Sequence, residues 1–318
     1  MKRPIFLLFD GHAVIYRAFY ALPKLTDPQG RVVNAVYGFT RILLTAINEF
    51  QPKYLAVSFD HRKPTFRHKE FKDYKLQRPE MPDELQPQIP LVKEVVTALN
   101  IPQFEQEGYE ADDLIGTLSY LLDHDPKKLK ADKDLLSIVV TGDKDLLQIV
   151  DDNTHVWLPG RGKKQDKEYD AQAVEADLGI KPSQVVDMKA LMGDASDNIP
   201  GVKGVGQKTA VALLNEFGDL DAIYQAVEQI ESGKKQSAGL LKGGVLEKLI
   251  TGKESAYLSR KLAEIDHTVD LEIDLSCCHV NSYDKEQAIK LFKELDFNSL
   301  IELLPGDQFE VDVQESLF

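Results

Sequence analysis

Apolar residues run along this chain in two rhythms. Short, largely apolar runs at residues 5–9, 54–59 and 137–141 predict buried strands, each followed by an aspartate: Asp10 and Asp60 directly, and Asp143 after Gly142. Residues 155–158 predict a further strand and 101–104 a short one. Between the runs, Val36, Phe39, Leu43, Ile47 and Phe50 recur at helical spacing and predict a helix over 34–50, stopped by Gln51-Pro52. Helices are also expected over 91–99, 112–122 and 144–150. Strands alternating with helices indicate an α/β fold with a mostly parallel sheet. Beyond about residue 165 only helices are predicted, at 171–178, 182–192, 207–217, 220–227, 254–265 and 284–295, with a Gly-, Lys- and Ser-rich loop at 232–244. The expected organisation is an α/β domain over 1–165, a helical domain over 166–305 and a tail over 306–318.

Composition narrows the function classes. A hydrophobic share of 43% is too high for a disordered chain, and the longest apolar runs fall far short of the ~18 residues of a membrane span. Nothing at the start reads as a secretory leader. Adjacent Cys277 and Cys278 suit neither a disulfide framework nor zinc. A cytoplasmic, nucleoid-associated protein is expected. With 38 Lys+Arg against 52 Asp+Glu the net charge is −14, which argues against a nucleic-acid partner until the charges are located. Residues 61–78 carry seven basic side chains (Arg62, Lys63, Arg67, Lys69, Lys72, Lys75, Arg78) against Glu70 and Asp73, with Phe66, Phe71 and Tyr74 interleaved. Pro79, Pro82, Pro87 and Pro90 follow.

The acids gather as well. Asp10, Asp60, Asp143 and Asp145 lie at strand ends, Glu110, Asp112 and Asp113 open a helix, and Asp194 and Asp197 follow another. Ligands of open α/β sheets bind beyond the carboxyl ends of the strands, so these nine acids are expected to face one crevice. So many like charges would repel unless divalent cations intervened. An oxygen-only donor set favours Mg²⁺ or Mn²⁺ over zinc. Taken singly, each acid has an ordinary reading as a turn residue or helix cap.

Residues 201–209 look at first like a phosphate-binding P-loop, but Gln207 stands where the P-loop lysine belongs and a helix precedes the segment. Helix, glycine hairpin, helix is the layout of a helix–hairpin–helix module. Gly201, Gly204 and Gly206 let the backbone approach a phosphate, Lys203 and Lys208 add charge, and the amides opening the next helix donate to it. Such a module holds duplex backbone without reading sequence.

Together these segments resemble the 5′-nuclease (flap endonuclease and 5′–3′ exonuclease) domain of bacterial DNA polymerase I. The resemblance rests on Phe9-Asp10-Gly11-His12, Gly108-Tyr109-Glu110-Ala111-Asp112-Asp113, Thr141-Gly142-Asp143-Lys144-Asp145 and Met192-Gly193-Asp194-Ala195-Ser196-Asp197-Asn198, and it covers about residues 3–304. It implies a PIN-like α/β domain with a helical arch over about 62–95, and a helix–hairpin–helix over about 182–217. It also implies two Mg²⁺ ions, replaceable by Mn²⁺, on the nine acids, with Asp194 and Asp197 completing the second site. Lys75, Arg78 and Arg17 would act on the scissile phosphate. DNA contacts are implied for Arg67, Lys69, Lys72 and Tyr74 of the arch and for Lys189, Gly201, Lys203, Gly204, Gly206, Lys208 and Thr209, with a K⁺ ion on hairpin carbonyls. Tyr20, Phe71 or Tyr74 would stack an unpaired base. The implied activity is Mg²⁺-dependent cleavage of DNA at 5′ flaps, nicks and RNA-primed ends by a monomer, whether stand-alone or part of a longer polymerase. Residues 314–318 (Gln-Glu-Ser-Leu-Phe) resemble the peptide that binds the bacterial sliding clamp, with a frayed tail as the alternative. Two other readings compete: a non-catalytic DNA-junction module, disfavoured by the intact acid set, and a haloacid-dehalogenase-type phosphotransferase, which needs an acid where His12 stands.

Overall fold

In a computed structural model, which describes residues 3–306 apart from 132–133, 161–164, 235, 238, 272 and 281–282, the first apolar run forms β1 (Ile5–Asp10), buried along its whole length. To one side lie β2 (Tyr54–Ser58) and β3 (Gln103–Phe104). To the other lie β4 (Leu136–Val140), β5 (Thr154–Leu158) and β6 (Lys167–Tyr169), giving the order β3-β2-β1-β4-β5-β6. All pairings are parallel except β5 with β6. The chain leaves β1 first towards β2 and later returns to its other side as β4, so the switch point of the sheet lies at the carboxyl end of β1. Asp10 pairs with Ser58 and Phe9 with Val140, so Asp10, Asp60 and Asp143 emerge at one edge.

Burial on both faces explains why the strands read as continuous apolar runs rather than alternating ones. Ile5, Leu7 and Phe9 face α2 (Asn34–Phe50) and, further along the chain, Val92, Val95 and Val96. Phe6 and Leu8 face the opposite core, with Leu114, Ile115 and Leu118 and much of the helical second half. The helices are α1 (Gly11–Ala21), α2, α3 (Phe66–Glu70), α4 (Gln88–Ala98), α5 (Ala111–His124), α6 (Ala171–Leu178), α7 (Val185–Met192), α8 (Gln207–Phe217), α9 (Leu220–Glu231), α10 (Gly243–Ala263) and α11 (Lys285–Glu294). No helix among the described residues is long and apolar enough to cross a membrane.

Four features depart from expectation. α1 follows β1 without a loop, because Asp10 caps it through a bond from the Ala13 amide (3.1 Å). The sheet continues past residue 165 through β6. Tyr283, Phe292, Phe297 and Leu300 return to the first core beside Phe39 and Val92, so the last helix covers the sheet instead of extending the helical half. The arch is also shorter: α4 packs within that same core, leaving a basic segment with one short helix, α3, between Asp60 and Gln88. Residues 314–318, and the clamp-type peptide they form, lie outside the described residues.

Candidate metal centre and nucleic-acid interface

Beyond the carboxyl ends of β1, β2 and β4 a crevice of about 370 Å³ is lined by Asp10, Asp60, Glu110, Asp112 and Asp143, with Arg17, Lys75 and Arg78 at its rim. Five of the nine expected acids therefore meet. Their local supports differ. Asp10 accepts from Thr141 Oγ1 at 2.7 Å as well as from the α1 amide. Asp60 accepts from the Ala111 amide at 2.8 Å, tying the end of β2 to the start of α5. Asp143 accepts from the Asp145 amide at 2.9 Å. Beside them His12 accepts from the Asp60 amide through Nδ1 at 2.9 Å, and burial holds its ring below the ordinary histidine pKa.

Asp10, Asp112 and Asp143 have no Lys or Arg ion pair among the described residues. Burial, then the charge of Asp60, pushes Asp10 up to about 7. Asp112 is raised well above the carboxylate range by burial and by Asp10 and Asp143. Among the described residues no three His, Cys, Asp or Glu side chains close on a single point tightly enough to cage an ion. Oxygen-only donors, buried at Asp10 and half-buried at Asp112 and Asp143, fit a hard divalent cation.

The remaining acids stand differently. Asp145 and Asp194 share the ammonium of Lys189, which lies 2.5 Å from Asp194 and in an ion pair with Asp145. Asp194 drops to about 2, because Lys189 and Ser196 outweigh its burial. For Asp145, burial and Asp143 prevail over Lys189 and raise it to about 7. Asp197 pairs with Arg78, and Lys75 Nζ lies 3.8 Å from it. Lys75 also binds Glu110 at 2.8 Å, and despite burial these acids raise its pKa, so its charge is fixed. Lys75 sits in the left-handed region (φ 56°), held by its amide on Asp197 O at 2.9 Å, while Asn198 Nδ2 donates to Asp73 O at 2.7 Å. The basic segment is thus clasped onto the turn that carries Asp194 and Asp197.

Several expected site residues belong to the framework. Asp113 is fully buried: Arg67 grips both its oxygens (2.8 and 2.7 Å), and the Glu110 and Asp266 amides donate to it as well. It has no room for a metal. Arg67, expected on DNA, spends its remaining donors on the carbonyls of Leu262 and Glu264 at the end of α10. Tyr74, expected to touch or stack on DNA, is buried with its hydroxyl on Glu110 (3.2 Å) and Asp197 (3.4 Å). Phe71 packs in the same small core. Lys189 is buried between Asp145 and Asp194. Tyr20 is different: it is 56% exposed and lines both the acid crevice and a larger one, about 940 Å³, that continues beneath the basic segment. Lys69 and Lys72 are exposed. Arg17 lines the crevice and donates to Pro159 O.

The hairpin forms between α7 and α8 as the spacing predicted. Gly201 (φ 61°) is buried, and a Cβ there would fall 2.2 Å from the Gly193 amide nitrogen, so its role is close backbone packing, not contact with DNA. Lys203, Gly204, Gly206 and Lys208 are exposed, with Thr209 half-buried, and no side chain caps α8 at Gly206. Sequence reasoning missed the brace behind them. One face of α10 holds the hairpin: Lys248 Nζ donates to Gly204 O (2.9 Å), Gly252 lies against Val202, Ser255 Oγ donates to Gly201 O (2.6 Å), and Ser259 Oγ accepts from the Gly201 amide (2.9 Å). The spacing 248, 252, 255, 259 is helical and was the signal available. The Gly201 and Gly204 carbonyls thus each accept one side-chain hydrogen bond from α10.

Residues 5–179 match the family described as 5′–3′ exonuclease, N-terminal resolvase-like domain, and residues 180–286 its C-terminal SAM fold. The chain is 40% identical to DNA polymerase I of Bacillus subtilis over 316 residues, 99% of this chain but 34% of that protein. It therefore spans about a third of the length of the curated relatives it matches. Among solved structures it resembles T5 5′-exonuclease with bound divalent metal ions (zinc), at a TM-score of 0.64 and 19% identity over 92% of this chain and 98% of that one. It also resembles the catalytic core of Rad2 in complex with DNA substrate, at 0.56 and 19% over 95% and 93%.

Proposed function

Because the chain belongs to the 5′–3′ exonuclease family, we propose that it is a structure-selective 5′ nuclease that hydrolyses DNA at flaps, nicks and RNA-primed ends with divalent cations, Mg²⁺ first among them. The observation that carries this reading is the group of Asp10, Asp112 and Asp143, acids without basic partners among the described residues, at the sheet's switch point and facing Lys75 and Arg78 across the crevice. Asp10, Asp60, Glu110, Asp112 and Asp143, with Asp145, Asp194 and Asp197 beside them, would hold two ions, whose chemistry is to make water nucleophilic at neutral pH and to screen the scissile phosphate. The chain's own groups do the rest. Lys75 and Arg78, released from Glu110 and Asp197, neutralise phosphate charge at a fixed place. Tyr20 offers an exposed ring to an unpaired base. Lys203, Lys208 and the uncapped start of α8 grip the duplex backbone.

A 5′-labelled flap duplex incubated with and without Mg²⁺, alongside Asp143→Ala, tests the reading. Cleavage near the junction should need the metal and vanish in the variant. Tight flap binding without cleavage in Mg²⁺ or Mn²⁺ would instead favour a junction-binding module. Two further results are expected. Lys75→Met should slow single-turnover cleavage by about 10²-fold, in keeping with the loss of one preorganised charge donor. Replacing Lys203 and Lys208 together by Ala should weaken duplex binding equally for all sequences and make the slope of log K against log salt shallower by about 2. An unchanged slope would remove these lysines from the interface.

A further inference from the structure

Resting on the metal-nuclease reading, we infer that Lys189 is a positioning residue: its ammonium is the resident cation of the Asp145–Asp194 pair, and it makes loading of an ion there subordinate to the inner acids. The chain places this lysine deliberately. It projects from α7 with 11% of its side chain exposed and joins Asp145, from the segment matching the resolvase-like domain, to Asp194, from the segment matching the SAM fold. Asp194 is fixed independently by the Ser196 amide (2.8 Å) and hydroxyl (2.6 Å). The third outer acid, Asp197, is paired with Arg78.

The site is therefore divided in two. Asp10, Asp112 and Asp143 have no lysine or arginine among the described residues to offset their charge when they ionise, whereas Asp145, Asp194 and Asp197 are already matched by side chains. An ion entering the inner group relieves repulsion. At the outer pair it meets an ammonium on the same two carboxylates, so it must displace a tethered competitor or arrive with a phosphate that adds negative charge. Tethering makes that competition strong, since the ammonium is present at high effective concentration.

Mn²⁺ titration of the metal-free protein without DNA, with free Mn²⁺ read by electron paramagnetic resonance, tests this. The wild type should bind one ion distinctly more tightly than the second, and Asp10→Asn should weaken the tight one. Lys189→Met, which keeps most of the side chain's length, should tighten the second by tenfold or more, while Lys189→Arg should behave as the wild type. Circular dichroism establishes that each variant is folded. If second-ion affinity is unchanged or falls in Lys189→Met while Asp10→Asn still weakens the first, the role assigned to Lys189 is overturned and the nuclease reading stands. If neither wild type nor Lys189→Met binds Mn²⁺, both are overturned.

Discussion

Asp10→Asn is expected to abolish cleavage and, in the same molecule, to raise the melting temperature. The first effect follows from the acid's place at the end of β1, in the crevice with Asp60, Asp112 and Asp143. Metal ions contribute several kcal/mol of charge stabilisation in the transition state, and each 1.36 kcal/mol is tenfold in rate, so a loss of about 10³-fold or more is expected. The second effect follows from burial. Asp10 is 3% exposed and its pKa rises from 3.8 to about 7, so the folded protein binds this proton more tightly than the unfolded chain does. Stability is then lost as pH rises through about 7, and at pH 8 the folded state carries the penalty. Three units correspond to at most about 4 kcal/mol. Because Asp60 and Asp143 share the repulsion, a gain of about 1–2 kcal/mol on substitution is more realistic, or roughly 2–6 °C in Tm. Asn keeps an oxygen for the Ala13 amide, so the α1 cap survives. Calorimetry in EDTA at pH 8 should show the gain, and it should shrink towards pH 4. A lower Tm for the variant at pH 8 would mean that the acid is satisfied where it stands.

Asp113→Ala should do the reverse. It leaves the buried Arg67 guanidinium without its bidentate partner, with Glu110 at 3.6 Å as the remaining acid, and the Glu110 and Asp266 amides without an acceptor. Breaking one side of a buried pair typically costs about 3–5 kcal/mol, here roughly 10 °C in Tm. Arg67→Met combined with Asp113→Leu should recover part of that loss, since apolar replacements leave no buried charge. Mn²⁺ bound per folded molecule should not change. A loss of metal affinity like that of Asp10→Asn would return Asp113 to the metal centre.

These two acids show how far the sequence could be read. Asp10 was legible because its function is local: a strand, its end and the next turn lie together in the chain, and the same logic located Asp60 and Asp143. Asp112 and Asp113 are neighbours of one type, and what separates them lies elsewhere. α5 turns one towards the crevice and the other towards Arg67, whose further partners, Leu262 and Glu264, are far along the chain. Tyr74 and Lys189 looked like DNA contacts for the same reason, since a basic or aromatic residue in a basic or helical segment does not disclose a buried partner. α1 was missed because Asp10-Gly11 is good turn chemistry and good capping chemistry at once. The return of Tyr283, Phe292 and Leu300 to the first core depends on long-range packing that no window of sequence contains. The glycine hairpin formed where its local spacing placed it, while the α10 brace that holds it lies some fifty residues further along the chain.

α10 has a consequence of another kind. Lys248, near one end, touches the hairpin; at the other end the Leu262 and Glu264 carbonyls receive Arg67 at the foot of the basic segment. Lys248 and Leu262 are fourteen residues apart on one uninterrupted helix, which at about 1.5 Å per residue makes a strut of about 21 Å. Its length is fixed by backbone hydrogen bonds and takes no account of which bases the duplex contains. On the proposed reading, the place of scission is therefore measured from the point of grip, as with a ruler, and the ruler is graduated in turns of protein helix.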